Sequence, residues 1–322
     1  MKTQPLVLVV SNSQDPDRDP QLRMLAGIPH VHVNSSSALD AAPKTAEVIL
    51  HWGGPRDLLR STFLASPEVR WVHSRAAGLD NVLFPELVES PSALTNGRGV
   101  FSQSLGEFAL AAILYFAKDF RRMIRNQMAG RWEPFDVEEI AGQTVGIVGY
   151  GDIGRAVASR VHAMGMHVLA LKRHVPASGD QLIERFYAPN QLMDLLAQCD
   201  YVVVAAPLIP ETRHMISDAA FAAMKPSAVI INIGRGPVID QQAMVRALES
   251  RQIRGAGLDV FEQEPIPPAH PLYQLENVLL SPHCADHTKD WLNRAMSFFL
   301  EEYERFSNGQ PLKNMVEKRL GY

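Results

Sequence analysis

Short apolar, β-branched runs recur along the chain at residues 6–10, 48–50, 71–73, 145–148, 168–171, 201–205, 229–231, 257–260 and 278–280, with helical stretches between them. Strands that alternate with helices predict parallel sheets in an α/β fold, because each helical crossover returns the chain to the same end of the sheet. The series breaks near Asn96-Gly97-Arg98-Gly99. Beyond that turn, Ser104 and Glu107 have the spacing of a capping box, and Leu105, Phe108, Ala112, Phe116, Phe120 and Ile124 fall at helical spacing. The pattern predicts one long helix between two α/β halves, its apolar stripe turned to a core or an interface. A second amphipathic helix is predicted over residues 290–306. No internal repeat of solenoid period and no low-complexity segment interrupts this organisation.

The length of 322 residues favours two domains, each able to bury a core without disulfide or metal staples. Lys plus Arg total 31 against 35 Asp plus Glu, a net charge of -4 spread without long runs of one sign. That balance argues against nucleic acid or an anionic membrane as the main partner. The longest apolar run, residues 108–117, falls well short of the roughly 20 residues a membrane span needs. The first apolar run passes into Ser11-Asn12-Ser13, a strand entering a turn with no small-residue cleavage site of a signal peptide. Cys199 and Cys284 are far apart, so neither a disulfide framework nor a metal site is indicated and a cytoplasmic protein is expected.

The first chemistry-bearing motif is Gly149-Tyr150-Gly151-Asp152-Ile153-Gly154, which follows the apolar run 145–148 and opens a helical stretch, residues 155–164. Gly149 permits the turn, Gly151 lets the backbone approach a pyrophosphate, and Gly154 lets the helix pack on the strand, with the helix N-terminus favouring the phosphate charge. The context predicts dinucleotide binding. About 20 residues past such glycines an NAD site carries an acid that grips the ribose 2′-hydroxyl. Here Lys172 and Arg173 end the second strand. A cationic pair suits a 2′-phosphate, so NADP is expected to be preferred, with NAD possible.

Three later strands are each followed by charged or ionisable residues: Arg235, then Asp259 and Glu264, then His283. Those positions lie where an open parallel sheet presents its ligand crevice. Singly each residue has a dull explanation, as an ion pair, a turn former, a solvated side chain or a buried histidine. Their joint occurrence after a dinucleotide fingerprint points to a reactive site.

With these residues in place the sequence resembles the D-isomer-specific 2-hydroxyacid dehydrogenase family, which includes glyoxylate and hydroxypyruvate reductases, D-lactate dehydrogenases, phosphoglycerate dehydrogenase and formate dehydrogenase. The resemblance covers residues 47–316 and rests on Ala76-Ala77-Gly78-Leu79-Asp80, Asn96, the Ser104 to Glu107 segment, the glycine fingerprint, the Ala206 to Arg213 segment, Asn232-Ile233-Gly234-Arg235-Gly236, the Leu258 to Pro265 segment, and Ser281-Pro282-His283 with Thr288. It implies two doubly wound parallel-sheet domains with a cleft between them. One is a flavodoxin-like substrate domain, residues 1–98 rejoined by 288–322, and the other a Rossmann dinucleotide-binding domain, residues 99–287. It also implies a homodimer built on the long helix and the Trp132 to Phe135 arm.

By the same likeness Arg235, Glu264 and His283 are the catalytic residues. Reducing a 2-oxo acid puts negative charge on the carbonyl oxygen and requires a proton there. His283 would supply it, Glu264 would fix the ring tautomer and stabilise its charged form, and Arg235 would hold the substrate carboxylate or polarise the carbonyl. Substrate binding is expected from Arg235, His283 and the backbone N–H groups of Ala77 and Gly78. Cofactor contacts are expected from residues 149–154, Lys172, Arg173, Pro207, Thr212, Ile233 and Asp259.

Two residues depart from the family pattern: Lys172, as above, and Asp286, which stands where glycine is frequent and whose part the sequence leaves open. The leading expectation is NAD(P)H-dependent reduction of a small 2-oxo acid such as glyoxylate or hydroxypyruvate to its D-2-hydroxy acid. A reductase for bulkier acids such as phenylpyruvate and a nucleotide-sensing binding protein on the same scaffold are the alternatives.

Overall fold

The computed structural model describes residues 4–14, 19–175 and 179–321. The chain divides into two compact units, Met1–Phe101 with Lys289–Tyr322, and Ser102–Thr288.

The first unit is built on β1 (Val7–Val10), β2 (His30–Val33), β3 (Val48–His51), β4 (Trp71–Ser74) and β5 (Ala93–Asn96), with short helices α1 (Ser36–Ala41), α2 (Arg56–Ala65) and α3 (Pro85–Glu89) as crossovers. All pairings are parallel and the strand order is β2-β1-β3-β4-β5. This is the flavodoxin-like doubly wound order. Val7–Val10, Val48–His51 and Trp71–Ser74 are buried at every position, as strands covered on both faces must be. A C-terminal helix, Trp291–Ser307, returns to this unit, where Phe299 stacks on Trp71 with ring centroids 5.4 Å apart. Thr95 accepts a hydrogen bond from Trp71 Nε1 at 2.8 Å and bonds His73 Nδ1 at 2.8 Å, so buried polar groups sit inside an otherwise apolar core.

The second unit opens with α4 (Ser102–Ala117) and α5 (Phe120–Met128). Then follow β6 (Thr144–Val148), α6 (Asp152–Ala163), β7 (His167–Leu171), β8 (Arg185–Tyr187), α7 (Leu192–Leu196), β9 (Tyr201–Val204), α8 (Asp218–Ala223), β10 (Val229–Asn232), α9 (Gln241–Glu249), β11 (Gly255–Leu258) and β12 (Val278–Leu280). The seven strands are parallel in the order β12-β11-β10-β9-β6-β7-β8. Counted from β6 this is the Rossmann order, which reverses direction between β6 and β9 and opens a crevice at their carboxyl ends.

Four local expectations are corrected. The single long helix is two, because Asp119 adopts the left-handed conformation at φ 48° and caps α5 by accepting from Arg122 N at 3.2 Å. Ser104 does not cap: α4 begins two residues earlier, and the Ser104 hydroxyl donates to Ala285 O at 2.6 Å. Glu107 meets Arg160 at 3.2 Å instead of the helix start. The strand expected over 257–260 lies at Gly255–Leu258, which frees Asp259 for the following loop, while β2, β5 and β8 are strands that the apolar pattern does not predict. Among the described residues no helix is long and apolar enough to cross a membrane, and no group of three or more His, Cys, Asp or Glu could hold a metal ion.

Candidate active site

The glycine turn joins β6 to α6. Gly149 has φ 100°, and a Cβ there would lie 2.6 Å from Ala206 N, so the position needs glycine for both conformation and space. A Cβ on Gly154 would lie 2.4 Å from Gly149 O. Gly151 differs: its Cβ would meet nothing within 4 Å, and it is the N-cap residue of α6. Gly154 thus closes the turn on Gly149, Gly149 packs the turn against the loop after β9, and Gly151 leaves an open face at a helix N-terminus, which fits the pyrophosphate of a dinucleotide. Asp152 and Ile153 occupy the first turn of α6, Asp152 exposed and Ile153 half-buried.

Tyr150 is buried, and its hydroxyl donates to Asp180 Oδ2 at 2.8 Å, an oxygen that also accepts from Arg155 Nε at 3.0 Å. Burial, then this bond to Asp180, raise the phenol above its ordinary range. Lys172 follows β7, and its Nζ lies 5.5 Å from the centroid of the Tyr150 ring. Arg173 approaches Glu211 at 4.0 Å. Pro207 and Thr212 share the loop after β9, where the Thr212 hydroxyl donates to Pro207 O at 2.7 Å, and Ile233 is buried just after β10.

The loops after β10, β11 and β12 carry the ionisable residues. Asn232, the last residue of β10, accepts from Gly234 N at 3.1 Å and donates to Arg235 O at 3.1 Å, holding the Arg235 backbone from both sides. Arg235 Nη1 donates to Gly234 O at 2.8 Å. A Cβ on Gly236 would fall 1.9 Å from Phe261 C, so the loops after β10 and β11 touch backbone to backbone. Glu264 Oε1 accepts from Phe261 N at 2.9 Å, and Oε2 lies 2.6 Å from His283 Nδ1. Both side chains keep access to solvent, 34% exposed for Glu264 and 43% for His283. With Nδ1 on a carboxylate, the ring can exchange a proton through Nε2.

Asp259 is buried, 1% exposed, and its Oδ1 accepts from Ser281 Oγ at 2.6 Å, Cys284 N at 2.9 Å and Ala285 N at 3.0 Å. These bonds fix the backbone on either side of His283, which has φ 52° in the left-handed region. The Ser104 hydroxyl closes the same loop from α4 through Ala285 O. Asn232, Ser281 and Ser104 therefore position the site, although only their places in short motifs marked them beforehand. Asp286 is half-buried with His287 Nε2 3.7 Å from its Oδ1, and burial raises its carboxyl above the usual range.

Glu264 and His283 are brought into direct contact, and Arg235 sits on the loop that packs against the one carrying Glu264. Ala77 and Gly78 lie in the first unit after β4, half-buried, with Asn96 Nδ2 donating to Ala77 O at 2.7 Å.

The family profile described as "D-isomer specific 2-hydroxyacid dehydrogenase, NAD binding domain" matches residues 110–285. A glyoxylate reductase from Korarchaeum cryptofilum is 35% identical over 296 residues, 87% of this chain and 89% of that protein. Among solved structures, a D-isomer specific 2-hydroxyacid dehydrogenase from Xanthobacter autotrophicus Py2 in complex with NADPH and MES superimposes with a TM-score of 0.85 at 29% identity, covering 99% of this chain and 100% of that one. An NADPH-dependent glyoxylate/hydroxypyruvate reductase from Sinorhizobium meliloti, in complex with NADP and sulfate, gives 0.84 at 25% identity, covering 99% and 100%.

Proposed function

Because this chain belongs to the D-isomer-specific 2-hydroxyacid dehydrogenase family, we propose that it reduces a small 2-oxo acid, glyoxylate or hydroxypyruvate being the first candidates, to the D-2-hydroxy acid. The second unit is the dinucleotide-binding domain in this reading, and the first is the substrate-binding domain. A bound reduced nicotinamide supplies the hydride. The open face of Gly151 at the start of α6 supports residues 149–154 as the pyrophosphate cradle, with Pro207, Thr212, Ile233 and Asp259 along the same cofactor path.

The observation that carries the reading is the 2.6 Å contact between Glu264 Oε2 and His283 Nδ1. Glu264 holds the tautomer, and His283 Nε2 delivers the proton to the carbonyl oxygen as negative charge grows there. Arg235 takes the substrate carboxylate or polarises the carbonyl through its planar donor fork. The backbone N–H groups of Ala77 and Gly78 are assigned to the carboxylate as well. In oxidation the neutral His283 is the base.

Lys172 and Arg173 at the end of β7 support a preference for NADP over NAD, since no acid stands there to take the 2′-hydroxyl. The apolar surface of α5 and the following arm, with Met128 84% and Trp132 97% exposed, supports a homodimer. Two free thiols, Cys199 and Cys284, suit a cytoplasmic protein.

The test follows nicotinamide absorbance with NADPH and NADH in parallel against glyoxylate, hydroxypyruvate, pyruvate, phenylpyruvate and oxaloacetate. Turnover that prefers NADPH and disappears in His283→Ala with nucleotide binding intact is the expected result. Turnover surviving in His283→Ala at the wild-type rate rejects the proton donor.

A further inference from the structure

One cation of the first unit has no part in this scheme. Arg75 follows β4 directly and precedes Ala76, Ala77 and Gly78, at the carboxyl edge of the five-stranded sheet. That edge is where an open parallel sheet meets its ligands. The guanidinium is clasped by aromatic rings, its Cζ 5.2 Å from the centroid of Trp52 and 5.6 Å from that of Trp291. Gly53, at φ 92°, closes the third side: a Cβ there would lie 2.7 Å from Arg75 Nη2. The main chain is equally fixed, because a Cβ on Gly97 would lie 2.2 Å from Arg75 O.

The charge, by contrast, is not neutralised. Among the described residues no acceptor hydrogen-bonds the guanidinium, and no carboxylate comes within ion-pair distance. Asp19 is close enough for its field to be felt, but its Oδ1 already accepts from Gln21 N and Leu22 N. His51 carries no negative charge and bonds Gly54 O through Nε2 at 2.7 Å. Aromatic faces hold a cation in place without using its five N–H donors. A planar, preorganised fork with its donors unspent is an anion receptor.

The reductase scheme already provides for one substrate carboxylate, through Arg235 and the Ala77 and Gly78 N–H groups. A further cation is surplus for a monoacid. We propose that Arg75, held between Trp52 and Trp291 beside the Ala77–Gly78 loop, recognises a second, distal carboxylate, so that the preferred substrates are 2-oxo dicarboxylic acids. This rests on the reductase reading above and narrows its substrate class.

Two matched pairs test it: oxaloacetate against 2-oxobutanoate in turnover with NADPH, and succinate against butyrate in calorimetric binding to the NADPH-loaded protein. Each pair has four carbons and differs by one carboxylate. A charge-assisted hydrogen bond changes binding about ten- to hundredfold, so the diacid is expected to lead by at least about tenfold in both pairs. Arg75→Met, which keeps an unbranched chain between the rings, should bring both ratios to about one, and Arg75→Lys should leave them intermediate. A purely structural arginine would depress both members of a pair together and preserve the ratio, which overturns the proposal. So does a wild-type ratio near one, a result that needs no variant to fold. If no 2-oxo acid turns over while succinate still leads butyrate in the wild type and not in Arg75→Met, the carboxylate site stands and the reductase reading falls.

Discussion

Acid should weaken the first unit through one histidine. His73 lies on β4 with its ring wholly buried against Phe298 and Phe299, and burial pushes its pKa from 6.5 down to about 3. Its Nδ1 meets the Thr95 hydroxyl, and among the described residues Nε2 has no partner. A proton there would therefore have to be carried without solvent or counter-charge. The unfolded chain takes up that proton near the ordinary value, whereas the folded chain resists it until about pH 3, so protons favour unfolding throughout that window. The contribution is nil well above pH 6.5, grows as pH falls, and levels off below about 3. At pH 5 it is RT ln(1 + 10^1.5), about 2 kcal/mol.

His51 is also lowered, chiefly by burial, and adds to the slope in the same direction. A variant is thus needed to isolate His73. Urea unfolding followed by tryptophan fluorescence at pH 7.5 and pH 5, in wild type and in His73→Asn, reads the difference directly, because Trp71 lies 5.9 Å from the His73 ring. The stability lost between the two pH values should be about 2 kcal/mol smaller in the variant. Equal losses in the two proteins would refute the assignment of acid sensitivity to this ring.

Glu264→Gln keeps a side chain that can accept from Phe261 N but replaces a charged partner of His283 with a neutral one. A loss of about 1.5–3 kcal/mol of transition-state stabilisation, ten- to hundredfold in kcat/KM, is expected from steady-state kinetics. Asp259→Ala strands the Cys284 and Ala285 N–H groups and should cost about 2–6 kcal/mol, read as a lower midpoint in thermal denaturation together with a fall in kcat. The double change Lys172→Asp with Arg173→Ala should reduce kcat/KM for NADPH at least about tenfold and raise that for NADH, measured with one 2-oxo acid at fixed concentration.

The fold was legible where strands are buried on both faces. Val-rich runs such as 145–148 and 201–204 admit no polar residue because helices cover each side, and the glycine turn after β6 then fixes which sheet is which. The missed strands carry weaker patterns: His30–Val33 alternates histidine with valine, and Arg185–Tyr187 has three residues at a sheet edge. Asp119 broke the expected long helix because a left-handed residue is a conformational event that apolar periodicity does not register.

At the candidate site, the position of Glu264 and His283 after consecutive strands could be read from the chain, since register carries each loop to the same edge. The bonds that aim them could not. Ser104 is 181 residues from the Ala285 carbonyl it serves, and its spacing to Glu107 suggested a local partner instead. The clasp on Arg75 is not legible in the chain either, because the two rings that form it come from residues 52 and 291.

The contact of Gly236 with the Phe261 backbone bears on how such a chain diversifies. With no room for a methyl group between them, the segments presenting Arg235 and Glu264 behave as one casting, and an insertion or a bulkier residue in either displaces both. In the reading proposed above, in which the first unit binds the substrate, change in what the protein acts upon is thereby steered away from these segments toward that unit. There, exposed residues such as Ala76 can change without disturbing any hydrogen bond that orients His283.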